Sequence, residues 1–303
     1  LRVKVLFTLY CLTIWLGFWL IPAYAQQPTI VRVPDYLEQS PHRPLLEYAL
    51  TITAPEYGEV ELAFATAMVQ GRAEQSLLAG DALHLAVFAP SPERESALLP
   101  VYFPLNGGLL GYRVCLIAEG QQSKFDAIAT AEDWRKAELI FGQGAHWPDV
   151  AILRSNNLQV VTNPKYELLF DMARSHRFDC FARSIEEVEY DKASVNAQGL
   201  MIEQQVLFYY PQASFFFVSP RYPQLAERLQ KGLEQAAKNR VIQQHFETYF
   251  GTIVQQIRCQ NRRLIRLDNP LLSPKVVLAL QQFAYAPEIL LRYDASLCQP
   301  QAK

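Results

Sequence analysis

The sequence carries no excess of either charge: 28 Lys and Arg stand against 30 Asp and Glu, a formal net charge of −2. A nucleic-acid partner is usually announced by a basic excess, so none is expected. There is no low-complexity tract. With half the residues apolar and 19% charged, the chain is neither disordered nor collagen-like. No C-x-x-C pair occurs, and no His/Cys cluster has zinc spacing. The five His residues, at 42, 84, 146, 176 and 245, are scattered. Patterns of the G-x-S-x-G, H-E-x-x-H and P-loop types are missing, so no enzyme, metal or cofactor is marked. No stretch after residue 25 is long and apolar enough to span a bilayer.

What is present begins with residues 1–25. Arg2 and Lys4 form a short positive start, Val5 to Ile21 is uncharged, and Ala23-Tyr24-Ala25 supplies an A-x-A cleavage site. This is the three-part pattern of a secretory signal peptide, cleaved after Ala25. A retained membrane anchor is the other reading of a run this long. The expected location is the periplasm. Cys11 falls inside the signal, leaving Cys115, Cys180, Cys259 and Cys298. Four cysteines in an oxidising compartment allow three pairings. Cys259 and Cys298 share the C-terminal segment and are the favoured disulfide; Cys115 and Cys180, in apolar strand-like runs, read as buried free thiols.

The 303 residues suggest two domains, at roughly 150 residues each. Strand-like runs at 29–33, 60–64 and 82–88 alternate with helical stretches at 45–50 and 71–78, which points to an α/β unit with mostly parallel strands. A second alternation follows: strands at 112–118, 138–141, 158–161 and 178–181, with helices near 130, from Pro148, and over 166–175. Thr130-Ala131-Glu132-Asp133 predicts a capping box. Strands at 206–210 and 214–218 precede one long amphipathic helix from Pro223 that takes in Val241 and Phe246. The stretch from Arg262 onward should wrap over a domain surface.

Three motifs in this order carry a resemblance. They are Pro92-Glu93-Arg94 with Tyr102-Phe103-Pro104, then Ala131-Glu132-Asp133-Trp134 ahead of Gly142-Gln143-Gly144, and then 214–218 with Pro223-Gln224-Leu225 and the ending His245-Phe246-Glu247-Thr248-Tyr249-Phe250-Gly251. Together with the signal, they resemble the extracytoplasmic solute-binding proteins of family 3, the periplasmic components of amino-acid ABC transporters, over about residues 26–255. The chain looks like a separate branch, with Gly-Leu-Leu-Gly-Tyr-Arg at 108–113 and Gly-Gln-Gly-x-x-Trp-Pro-Asp at 142–149.

The resemblance implies a two-lobed α/β fold of the type II periplasmic-binding-protein kind. Two crossing strands would join lobe one (26–109 plus 212–303) to lobe two (110–211), with a solute cleft between them. It implies a monomer, a small-molecule solute captured by hinge closure, and a membrane permease or sensor as partner. Arg94 matches the arginine that binds a ligand carboxylate in that family, for which a planar guanidinium is suited. Family members carry an acidic residue for the ligand ammonium after the strand that here holds Asp179-Cys180-Phe181; the matching place is Arg183 or Ser184. With Arg94 opposite, Arg183 suits a second anionic group, so an anionic or carboxylate-bearing solute is expected. A salt bridge from Arg183 to Glu186 or Glu187 is the structural alternative.

Further candidates are Gln143, in a Gly-rich turn whose N–H groups could receive an anion, Trp147 as a stacking ring, Tyr36 as an aromatic against the ligand, and Arg72 as a cleft cation. Asp149 reads as a helix cap. A sensing or degenerate binding module is the alternative function. A dehydratase-like cleft enzyme comes third, because it needs a desolvated carboxylate that the sequence does not single out.

Overall fold

A computed structural model describes residues 29–283 together with Asp294, Ser296 and Cys298. The signal-peptide reading of residues 1–25 lies outside the described residues. The described strands are β1 (Thr29–Val33), β2 (Val60–Phe64), β3 (Leu85–Phe88), β4 (Leu99–Pro100), β5 (Tyr112–Ala118), β6 (Ile140–Gly144), β7 (Gln159–Asn163), β8 (Cys180–Ser184), β9 (Leu200–Ile202), β10 (Val206–Tyr209), β11 (Phe215–Val218) and β12 (Arg263–Arg266).

Lobe one is built on two small sheets. β1 and β2 pair in parallel, as their β-branched and apolar residues suggest. β11 runs antiparallel between β3 and β4, so this lobe is less parallel than the alternation predicts. β11 follows the inserted lobe in the chain, so it lies outside the local strand–helix alternation of residues 29–88. Its four residues Phe-Phe-Phe-Val are buried on both faces. Phe216 and Val218 meet the helices Arg43–Ile52 and Pro223–Lys238, while Phe215 and Phe217 meet Ala73, Leu77 and Phe88.

Lobe two is a seven-stranded sheet in the order β12-β10-β5-β8-β6-β7, with β9 also paired to β5. β5 alternates cleanly: Tyr112, Val114 and Leu116 fill one core, Cys115 and Ile117 the other. The capping box forms as expected, with Thr130 Oγ1 accepting from Asp133 N and Asp133 returning to Thr130 N at 2.9 Å.

Two segments cross between the lobes side by side. Leu105 N donates to Ser214 O at 2.9 Å and Tyr210 N to Gly111 O at 3.1 Å. Gly111 is required by this approach, since a Cβ there would lie 2.3 Å from the Tyr210 carbonyl oxygen.

Three expectations need correction. The long helix is broken: Pro223–Lys238 and Val241–Cys259 are separated at Arg240, whose φ of 60° is left-handed. The second helix leaves lobe one at Ile242 and enters the lobe-two core at Phe250 and Val254. Residues 212–303 therefore do not stay with lobe one, because β12 extends the lobe-two sheet beside β10. Third, Cys115 and Cys180 are not free thiols but a disulfide. The register that sets Cys115 opposite Ala182 places Cys180 diagonally beside it on the same face, a neighbour relation that a separation of 65 residues hides. The favoured Cys259–Cys298 disulfide is present.

Candidate functional site

In α/β sheets, ligands gather outside the carboxyl ends of the strands. Here the ends of β6, β8 and β10 and the start of the antiparallel β5 share one edge of the lobe-two sheet, and the crossing segments place that edge against lobe one.

From lobe one comes Arg94. Pro92-Glu93-Arg94 is the first turn of a short helix, Pro92–Ala97, rather than a free turn, and Ser91 caps it by accepting from Arg94 N. The guanidinium is buried. Nε donates to Glu74 Oε2 at 3.0 Å, Nη1 to Ala89 O at 2.8 Å, and Nη2 to Gln70 Oε1 at 3.2 Å. A second Nη2 bond crosses the cleft to His146 O of lobe two at 3.0 Å. The Phe88 ring lies 4.8 Å from its Cζ.

Gly142-Gln143-Gly144 is the end of β6, not an open turn. Its residues are laddered to Val161, Thr162 and Asn163 of β7, so its backbone belongs to the sheet and offers no anion nest. The two glycines exist for space: a Cβ at Gly142 would meet the Phe178 ring at 2.2 Å, and one at Gly144 the Trp147 indole at 2.6 Å. Gln143 is fully buried; Nε2 donates to Ala182 O, and Oε1 has no hydrogen-bond partner among the described residues.

Arg183 is not a spare anion receptor. Nε meets Asp191 Oδ2 at 2.5 Å and Nη2 meets Glu187 Oε2 at 3.3 Å, so its charge is already matched. Its Cζ sits 4.9 Å from the Trp147 ring and 5.3 Å from those of Tyr166 and Phe181, a cation–π cage. The salt bridge to Glu187 is the structural alternative seen in the sequence; Asp191 was not anticipated. Trp147 is half-buried, stacked on Phe181 and serving this cage. Ser184 is buried, with Oγ accepting from Glu186 N and lying 3.4 Å from Leu109 O.

Two expected candidates stand on the lobe-one side of the junction: the Arg94 charge acts on the Tyr36 hydroxyl, and Gly71, next to Arg72, lies against the His146 ring of lobe two. Tyr36 is 46% exposed, and its hydroxyl is tied to both backbone groups of Val87, donating at 3.0 Å and accepting at 3.1 Å. Arg72 is exposed and makes no ion pair or side-chain hydrogen bond among the described residues.

The two stretches that set the chain apart in sequence close on each other. Arg113, the end of the 108–113 stretch, meets Asp149, the end of the 142–149 stretch, at 2.7 Å, with both side chains buried. Tyr210 OH donates to Asp149 Oδ1 at 2.5 Å and accepts from Arg113 Nε at 3.0 Å. Asp149 is therefore no helix cap; it neutralises Arg113. Glu187 lies between Arg113 and Arg183, at 3.7 and 3.3 Å.

The sequence reading named Glu186 only as a salt-bridge partner for Arg183, and no ion pair between the two is found among the described residues. Asn106 Nδ2, on the first crossing segment, donates to Glu186 Oε1 at 2.6 Å, and Oε2 is buried with no hydrogen-bond partner among the described residues. Burial, with the neighbouring Glu187 charge, pushes its carboxyl up to about 8, against the pull of Asn106, Arg113 and Arg183. It therefore keeps its proton at neutral pH. The only sequence signal was the Glu186-Glu187 pair just past β8. Among the described residues, no group of His, Cys, Asp and Glu is arranged to hold a metal ion. No helix among them is long and apolar enough to cross a membrane.

No family model matches the chain, and no curated protein matches it. Solved structures do. An ancestral arginine-binding protein aligns at TM-score 0.54 and 17% identity with arginine bound, and at 0.55 and 18% with glutamine bound; each alignment covers 75% of this chain and all of the other. An arginine-specific periplasmic binding protein of Salmonella typhimurium aligns at 0.53 and 13%, over 73% of this chain and 99% of the other. An ancestral amino-acid-binding protein, a precursor of cyclohexadienyl dehydratase, aligns at 0.51 and 15%, over 73% and 95%. At such identities the likeness establishes architecture, and the chain has the two-lobed α/β fold of the periplasmic amino-acid-binding proteins.

Proposed function

We propose that the chain is a solute-binding protein that captures a small, carboxylate-bearing solute between its lobes and delivers it to a membrane transporter from the periplasm. The observation that carries this reading is Arg94: a buried guanidinium, braced by Glu74, Gln70 and Ala89, that spends one donor on a carbonyl oxygen of the opposite lobe. A carboxylate is a stronger, charge-assisted acceptor than a carbonyl and would take that donor. The expectation of a doubly anionic solute loses its second anchor, because Arg183 is already paired. Glu186 supplies a lobe-two carboxyl near the crossing segments, and it would pair with a solute amino group by giving up its proton, which an incoming ammonium favours. The neighbours bound to arginine and glutamine agree with that chemistry.

The test is thermal unfolding against amino acids, dicarboxylates, phosphorylated metabolites and small peptides. A solute at 100 times its Kd adds about 2.7 kcal/mol. The expected result is stabilisation by amino-acid-like carboxylates that disappears in Arg94→Ala. Stabilisation that survives Arg94→Ala, or none across the panel, would refute the reading.

One observation favours a second reading. A carboxyl kept protonated by burial is a competent general acid, which makes Glu186 the desolvated group a cleft enzyme would need. Conversion of a bound solute, abolished in Glu186→Gln, would select it.

A further inference from the structure

We propose that the segment Arg263–Phe283 is a strap that limits how far the lobes swing apart. The proposal concerns the range of motion; only its effect on solute exchange rests on the capture reading above.

The strap is fastened to lobe two first. β12 continues the sheet beside β10, and Ile265 and Leu267 are buried in the core with Trp134 and Phe208. Asn156, at the end of the helix Asp149–Ser155, clasps Asp268 in both directions, at 2.8 and 3.0 Å. The chain then passes the second crossing segment, where Asn269 Nδ2 donates to Pro211 O at 2.8 Å. On lobe one, Ser273 Oγ donates to Glu95 Oε2 at 2.6 Å, and the helix Pro274–Phe283 buries Val276 and Ala279 among Leu77, Phe88 and Phe217. Glu95 is the neighbour of Arg94 in the same helical turn, so the strap is fixed beside the residue that reaches across the cleft.

Beyond the strap, the chain is closed covalently. Cys298 is bonded to Cys259, the last residue of the helix Val241–Cys259, and Asp294 pairs with Arg258 there at 3.3 Å. That helix packs on lobe two along its later turns. Asp294 and Cys298 thus sit on lobe-two structure, while the helix Pro274–Phe283 sits on lobe one. Between Leu267 and Ser273 only six Cα–Cα steps are available, which reach at most about 20–22 Å when fully extended.

The test is small-angle X-ray scattering on the full chain without solute, comparing wild type with two variants that lengthen the link by about five or about ten Gly/Ser residues inserted between Asn269 and Pro270. Both should give a larger radius of gyration and a broader distance distribution, with unchanged far-UV circular dichroism. Curves that superimpose on wild type would overturn the strap. Should the longer insertion fail to fold, the shorter one decides alone by the same criterion. The two readings fail separately: a fruitless solute panel beside expanded variants removes capture and keeps the strap. A bound solute beside superimposable curves does the reverse.

Discussion

Asn106 Nδ2 lies 2.6 Å from Glu186 Oε1, so a crossing segment holds a lobe-two carboxyl that burial keeps protonated. An acid whose folded value, about 8, exceeds its unfolded 4.5 binds its proton more tightly when folded. Stability from this group is therefore complete below the unfolded value and is lost as pH rises toward 8. Urea midpoints measured across that window should fall with pH in wild type and flatten in Glu186→Gln. An equal slope in the two proteins would show that the carboxyl is not desolvated.

The His pair acts in the opposite direction. Burial pushes His42 down to about 3, with His245 nearby contributing, and burial pushes His245 down to about 4. Both are neutral when folded and take up a proton when unfolded, so stability should drop as pH falls below about 6.5. The double variant H42Q/H245Q should lose less stability between neutral and mildly acidic pH than wild type in the same denaturant series.

Arg113 and Asp149 form a buried pair completed by Tyr210. Removing one partner strands the other charge, and Asp149→Ala should cost about 3–5 kcal/mol. Tyr210→Phe keeps the ion pair and loses hydrogen bonds only, so chemical denaturation should place it well above Asp149→Ala in stability.

The Cys115–Cys180 bond closes a separation of 65 residues inside a core. On chain-entropy grounds its loss in C115A/C180A should lower stability by about 4 kcal/mol. Thiol titration of unfolded, unreduced protein should find neither cysteine free; two reactive thiols would return both residues to the buried-thiol reading.

Much of the architecture was legible because its signals are local. Alternation at Thr29–Val33 and Val60–Phe64 and the Thr130 capping box need only neighbours in sequence, and each forms where expected. The motif position of Arg94 made it a candidate, while the three lobe-one groups that brace it carry no sequence signal. What escaped depends on register between distant strands. The Cys115–Cys180 bond and the Arg113–Asp149 pair follow from how β5, β8 and β6 line up, which no local pattern encodes. Gly142-Gln143-Gly144 misled for a related reason: glycine suggests a turn, yet here it clears space for Phe178 and Trp147 inside a strand.

The placement of β11 between β3 and β4 also sets an order of assembly. During synthesis, residues 112–210 emerge before Phe215, so most of the larger sheet can form while β3 and β4 still lack the strand that joins them. Until β11 arrives, Leu85–Phe88 presents an open, apolar edge. Such an edge pairs readily with other chains. The inserted topology thus leaves the first lobe to be synthesised incomplete while most of the second forms, and its nascent half is where misassembly would begin.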